Sequence, residues 1–131
     1  MGFVVDLAEA QDPLVLAIDV GSTAARGGLY DARGRPVAGA RHKVPHAFTT
    51  AADGTAVIDP ALVLDEVEQI IERVARPRLA GRIAGVALDT FASSLIAADA
   101  GGNALTPCYT YADSRCAPQA TAQIGRASCR E

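Results

Sequence analysis

The segment that most constrains this chain is Leu14-Val-Leu-Ala-Ile-Asp-Val20, followed at once by Gly21-Ser22-Thr23. A short apolar run rich in β-branched residues reads as a buried strand, and Gly-Ser-Thr is a turn signal. Arg26 to Tyr30 predicts a second strand. Asp31-Ala-Arg-Gly-Arg-Pro36 predicts a second turn, and Val37 to Val44 a third strand. Three strands joined by short turns make an antiparallel β-meander.

The next element is a helix. His46 to Thr55 is small, polar and irregular, which suits a loop; Asp59-Pro60 then announces a helix start. Asp can cap free N–H groups, and Pro fits the first helical position because its missing N–H costs nothing there. Leu62, Val63, Val67, Ile70, Ile71 and Val74 follow at helical spacing. Asp65, Glu66, Glu68, Glu72 and Arg73 are expected on a solvated face. Pro77 stops the helix. Ile83 to Leu88 and Leu95 to Ala98 predict further strands, with a turn at Asp99-Ala-Gly-Gly-Asn103. Cys108 to Tyr111 predicts one more, and a helix is expected between Asp113 and Ala122. This order gives an α/β class.

Composition excludes several functions. The chain has 131 residues, half of them apolar, and a formal net charge of −3. That length suits one domain with a modest core. No basic surface argues for nucleic acid or anionic lipid. No apolar run reaches the roughly 20 residues a membrane span needs. Residues 1–13 carry Asp6, Glu9 and Asp12 and no Lys or Arg. They lack the basic start of a secretory signal and are expected to be a disordered leader. Cys108, Cys116 and Cys129 are odd in number and have no metal-ligand spacing, which fits a reduced, cytoplasmic chain. His42 and His46 flank a loop and are expected to be solvated rather than catalytic.

The first turn has its own chemistry. Glycine lets a backbone approach a ligand closely, and successive N–H groups in such a turn form a nest for phosphate oxygens. Ser22 and Thr23 can add hydroxyl hydrogen bonds. Asp19 cannot hold phosphate directly, because both are anions; its natural task is to hold a Mg²⁺ through water. Arg26, on the returning strand, can offer a phosphate its donor fork. Taken bare, Asp-x-Gly-[Ser/Thr] also fits an ordinary β-turn in which Asp and Ser bond their own backbone. Neither a dinucleotide fingerprint nor a P-loop is present.

Two blocks carry a family resemblance. Leu16 to Val37, with Asp19-Val-Gly-Ser-Thr-Ala-Ala-Arg26 at its centre, resembles the opening of the FGGY-family carbohydrate kinases. Gly85 to Arg115, ending in Tyr111-Ala-Asp113-Ser-Arg115, resembles that family's sugar-site segment. The likeness covers about residues 14 to 123 and is nearest to gluconate kinases and their relatives.

The resemblance implies the actin-like, ribonuclease H-like ATPase fold, here as an incomplete N-terminal domain. It implies a kinase using ATP and Mg²⁺ to phosphorylate a sugar or sugar acid. Asp19, Gly21, Ser22, Thr23 and Arg26 would lie at the nucleotide phosphates, with Asp19 also serving the Mg²⁺. Phe91, Ser93 and Ser94 would line the sugar pocket, and Asp113 and Arg115 would brace it. Relatives often carry His or another large polar residue where Ser93 stands. The family's catalytic Asp, second phosphate loop and adenosine pocket would lie beyond the chain's end, so the chain alone is expected to be inactive.

Other readings stay open. Asp113 and Arg115 also fit a helix cap and a surface pair, Ser93 and Ser94 plain loop residues, and Asp89 a carboxylate satisfying backbone donors after its strand. Rival functions are an FGGY kinase for a ketose or polyol, a non-enzymatic actin-like ATP-binding module, and an unrelated α/β domain. The oligomeric state is open too, a homodimer of the full-length protein included. Residues 124–131, Ile-Gly-Arg-Ala-Ser-Cys-Arg-Glu, break with the family pattern. They match the translation of a common sequencing adapter and are expected to be a non-native tail.

Overall fold

The computed structural model of the chain describes residues 4–127. They form two compact units. One holds the residues up to Ala47 together with Ala61–Phe91; the other holds Phe48–Pro60 and the residues from Ala92 onward.

The first unit is built on the meander. Strands β1 (Leu14–Val20), β2 (Ala24–Tyr30) and β3 (Pro36–Pro45) pair antiparallel in sequence order. Chain order then adds β4 (Thr49–Thr50) and β5 (Ala56–Ile58), which belong to the second unit, and helix α1 (Pro60–Val74). A single-turn 3₁₀ helix at Pro77–Leu79 leads into β6 (Ile83–Thr90), which pairs parallel with β1. The sheet order is β3-β2-β1-β6. A parallel neighbour requires a crossover, and α1 supplies it.

Side-chain alternation sets the core. Leu14, Leu16, Ile18 and Val20 are buried, while Val15, Ala17 and Asp19 alternate toward the other face. Against the buried face pack Ile70 and Val74 of α1, with Val63 and Val67 partly buried beside them. Gly27 makes this docking possible, since a Cβ there would overlap the Ile70 Cγ2 methyl.

Several expectations change. The expected leader is anchored from Val5 onward: Val5 forms a parallel bridge with Val37, donates its N–H to Pro36 O at 3.0 Å and joins the apolar cluster. Val5 and Ala10 are buried in that cluster and Leu7 packs against it, and this burial outweighs the lack of local pattern. Residues 1–3 lie outside the description. Glu66, expected on a solvated face, is buried. It stands three residues after Val63 and four before Ile70, on the helix stripe that meets the sheet. His46, expected to be solvated, buries its side chain against Glu66. Leu62 and Ile71 remain exposed on the flanks of that stripe.

The second turn works as expected. The buried Asp31 carboxylate accepts the N–H groups of Arg33 and Arg35 at 3.0 and 2.9 Å and the Arg35 guanidinium at 2.6 Å. These donors hold its carboxyl well below the usual carboxylate range, the Arg35 side chain foremost. Gly34, at φ 73°, supplies the left-handed residue that the turn needs.

The second unit is a three-stranded sheet in the order β4-β5-β7, with β7 at Cys108–Tyr109, followed by α2 (Ala117–Ala127). Leu95–Ala98, expected as a strand, forms only single bridges, Leu95 with Tyr109 and Ala98 with Ala104. The Asp99 turn pulls the chain back on itself: its carboxylate takes the N–H groups of Gly101 and Asn103 and the Asn103 amide. Helix α2 starts later than expected and runs into the segment expected as a tail. Residues 128–131, Cys129 among them, lie outside the description. No helix among the described residues is long and apolar enough to cross a membrane.

Candidate functional site

The first candidate centre is the β1–β2 hairpin. Asp19 and Arg26 face each other across the two strands, and the turn between them closes with Gly21 N–H donating to Ala24 O at 3.0 Å. The Arg26 Nη1 donates to Asp19 Oδ2 at 3.0 Å. Both side chains are about half exposed, 44% for Arg26 and 54% for Asp19. Asp19 therefore neutralises the guanidinium expected to reach a phosphate. A Cβ at Gly21 would stand 3.1 Å from Arg26 Nη1 and 3.4 Å from Ala24 O. Glycine thus keeps this ion pair and the turn carbonyl uncrowded. Asp89 stands beside Asp19 in parallel register, and its own carboxylate accepts the Thr90 N–H at 2.9 Å, the backbone role open to it from sequence.

Beside the pair lies a groove of about 610 Å³ lined by Asp19, Asp89, Arg26, Lys43, Arg41 and Tyr30, among others. Across the strands the carboxylates of Asp89 and Asp19 stand side by side, followed by Arg26 on β2 and Lys43 on β3. Among the described residues no three metal-ligating side chains cluster. A cage of protein ligands is thus absent, whereas one half-exposed carboxylate suits a Mg²⁺ that keeps its waters and takes other ligands from phosphates. On that test Asp19 fits a Mg²⁺ that keeps its water shell.

The hairpin rests on two residues that sequence reasoning placed in solvent. His46 Nε2 lies 2.8 Å from Gly21 O, its Nδ1 2.6 Å from Glu66 Oε2, and its backbone N–H donates to Thr23 O at 3.1 Å. The helical position of Glu66 was the available signal.

The second candidate centre belongs to the second unit. Ser93, Asp113 and Arg115 line one depression of about 660 Å³ with Tyr109, Tyr111 and Gln119, among others. Asp113 is the hub. Its Oδ2 accepts the Arg115 Nη2 at 2.7 Å and the Ala56 N–H at 3.1 Å. Arg115 lies over the Tyr109 ring, 5.4 Å from its centroid. The guanidinium, then the Ala56 N–H, hold the Asp113 carboxyl at about 2. Ser93 has φ 56°, an uncommon conformation for a residue with a Cβ. Of the other predicted sugar-site residues, Ser94 donates to Ala92 O at 3.3 Å, and Phe91 packs against the core of the first unit. Neither lines this depression.

The Asp113 contacts yield an acid-stability expectation. A carboxyl held lower in the folded state than its unfolded value of about 3.9 stabilises above that pH. The contribution fades as pH falls toward about 2. Asp113→Asn removes it, so the drop in urea midpoint between pH 5 and pH 2.5 should shrink. An unchanged drop would show that the pair contributes nothing to acid stability.

Comparison with known proteins gives the family. Residues 14–126 match the model of the FGGY family of carbohydrate kinases, N-terminal domain. No curated protein sequence matches. Among solved structures, a gluconate kinase from Lactobacillus acidophilus is 30% identical with a TM-score of 0.73, over 86% of this chain and 22% of that one. A ligand-bound xylulose kinase from the same organism matches with the same identity, TM-score and coverage. A kinase from Brucella ovis, described as a xyloylose kinase, is 23% identical with a TM-score of 0.78, over 88% of this chain and 24% of its own. The chain thus spans about a fifth to a quarter of these structures' lengths. The mixed sheet with its crossover helix is the opening part of their actin-like ATPase fold. On a family match that covers most of its length, this chain belongs to the FGGY family of carbohydrate kinases, whose N-terminal domain it represents in part.

Proposed function

We propose that the complete protein moves the γ-phosphate of ATP to a hydroxyl of a sugar or sugar acid of the gluconate kind, in the cytoplasm. The observation that carries this reading is the hairpin mouth, where half-exposed Asp19 and Arg26 flank the Gly21–Thr23 turn. In this reading the turn's N–H groups and the Ser22 and Thr23 hydroxyls bind phosphate oxygens. Asp19 would hold a Mg²⁺ through water, and the ion, when bound, neutralises the phosphate charge. Arg26, released from Asp19, turns to a phosphate oxygen. Ser93, Asp113 and Arg115 take hydroxyls of the sugar. Such chemistry needs positioning and charge stabilisation more than covalent participation by the protein.

A second reading, phosphorylation of a ketose, is favoured by the equal 30% identity to a xylulose kinase. The test is ADP release by the product of the complete gene on gluconate, xylulose and glycerol. Fastest Mg²⁺-dependent turnover is expected with gluconate. Fastest turnover with xylulose would replace the first reading by the second. Mg²⁺–ATP binding without turnover on any sugar would favour a non-enzymatic nucleotide-binding module.

A further inference from the structure

We infer that His46 and Glu66 are positioning residues for the phosphate-binding turn: a buried clamp that turns its carbonyls inward and so presents the Ser22 N–H. The inference rests on the reading of the hairpin as a phosphate site.

A carbonyl oxygen only accepts. The 2.8 Å contact of His46 Nε2 with Gly21 O therefore requires a hydrogen on Nε2. One further hydrogen then lies between Nδ1 and Glu66 Oε2, which are 2.6 Å apart. The two side chains are 1% and 2% exposed, so water does not offer alternative partners. Glu66 thus determines which imidazole nitrogen faces the turn. His46 grips the turn a second time through its backbone N–H, which donates to Thr23 O at 3.1 Å.

The consequence follows from peptide geometry. The Gly21–Ser22 and Thr23–Ala24 peptides are trans. In a trans peptide the carbonyl and the following N–H point in opposite directions. Holding Gly21 O toward His46 directs the Ser22 N–H away from it, whereas the Ala24 N–H belongs to a fully buried residue. An anion is bound by N–H groups and repelled by carbonyl oxygens, so this choice of peptide orientation decides whether the turn can take phosphate. Without the clamp either peptide can flip, and binding must then bear the cost of ordering it.

The test is NMR on the complete protein, selectively labelled at His46 and the turn residues and titrated with Mg²⁺–ATP. In the wild type the His46 side-chain nitrogen signals should show a protonated Nε2, and the Ser22 amide should shift on titration. His46→Leu and Glu66→Met should weaken binding about tenfold, the usual scale for losing one buried hydrogen bond. His46→Gln and Glu66→Gln should stay within about threefold of the wild type, because their amides can still donate to Gly21 O and to Nδ1 respectively. Purely structural damage would not spare the Gln variants. Equal affinity in all four variants overturns the inference, as does an unprotonated Nε2 in the wild type, a result that needs no variant to fold. A wild type whose Ser22 amide ignores Mg²⁺–ATP overturns the phosphate reading instead, while the His46 nitrogen signals still report the clamp.

Discussion

Gly27→Ala is expected to destabilise the chain by about 1–3 kcal/mol in urea denaturation, the range for overpacking a close-packed core. The added methyl would occupy the space of the Ile70 Cγ2 atom. Ile70 is fully buried, so α1 must lift from the sheet or the strand must bend. The cause can be isolated. Leucine has no branch at Cβ, so Ile70→Leu removes the clashing methyl at nearly constant volume. The double variant should recover most of the loss, and the two changes should be strongly non-additive. Additive losses would place the defect elsewhere, in the strand propensity of β2 for example. Truncation by Ile70→Ala sets the upper scale, about 2–5 kcal/mol for a buried side chain that leaves a cavity.

In the complete protein, Asp19→Ala is expected to lower kcat/KM for sugar phosphorylation at least about 100-fold, the scale of losing support for a metal that stabilises transition-state charge. Stability should barely respond. The Asp19–Arg26 pair is half exposed, and such surface pairs are worth about 0–1 kcal/mol. Two effects compete in this variant: Asp19 is removed and Arg26 is released. Arg26→Ala separates them, because it leaves the carboxylate in place; it is expected to raise the KM for ATP more than it lowers kcat. Activity assays at fixed Mg²⁺ with parallel urea melts check both. Near-normal activity in Asp19→Ala would remove Asp19 from the nucleotide site, and a large loss of stability would make the pair structural.

The Asp19 hairpin was readable because its signals are local: an apolar β-branched run, a carboxylate and a Gly-Ser-Thr turn within ten residues. The start of α1 at Pro60 was readable for the same reason. The Gly27–Ile70 contact was not, because it joins residues far apart in sequence and depends on which face of β2 meets α1. The partners of Arg26 divide in the same way. Its place opposite Asp19 follows from a short hairpin, but a guanidinium resting on that carboxylate instead of a free donor fork emerged only from the cross-strand register.

Glu66 and His46 mark the sharpest division. Charge alone puts a glutamate on the wet side of a helix and a loop histidine in solvent. Burial of either one by itself would be costly; burial of both together, each satisfying the other, is not. No local pattern announces such a pairing across 20 residues. Leu95–Ala98 errs in the opposite direction: its apolar pattern promised a strand, and the Asp99 turn limited it to single bridges. The sequence by itself therefore determined the meander, the helix that follows it, the family and the hairpin's chemical character, because each is encoded in local patterns. Only the tertiary structure decided what braces that hairpin, what neutralises Asp19 and which of the predicted sugar-site residues share a surface, because those depend on partners that the chain brings together only when it folds.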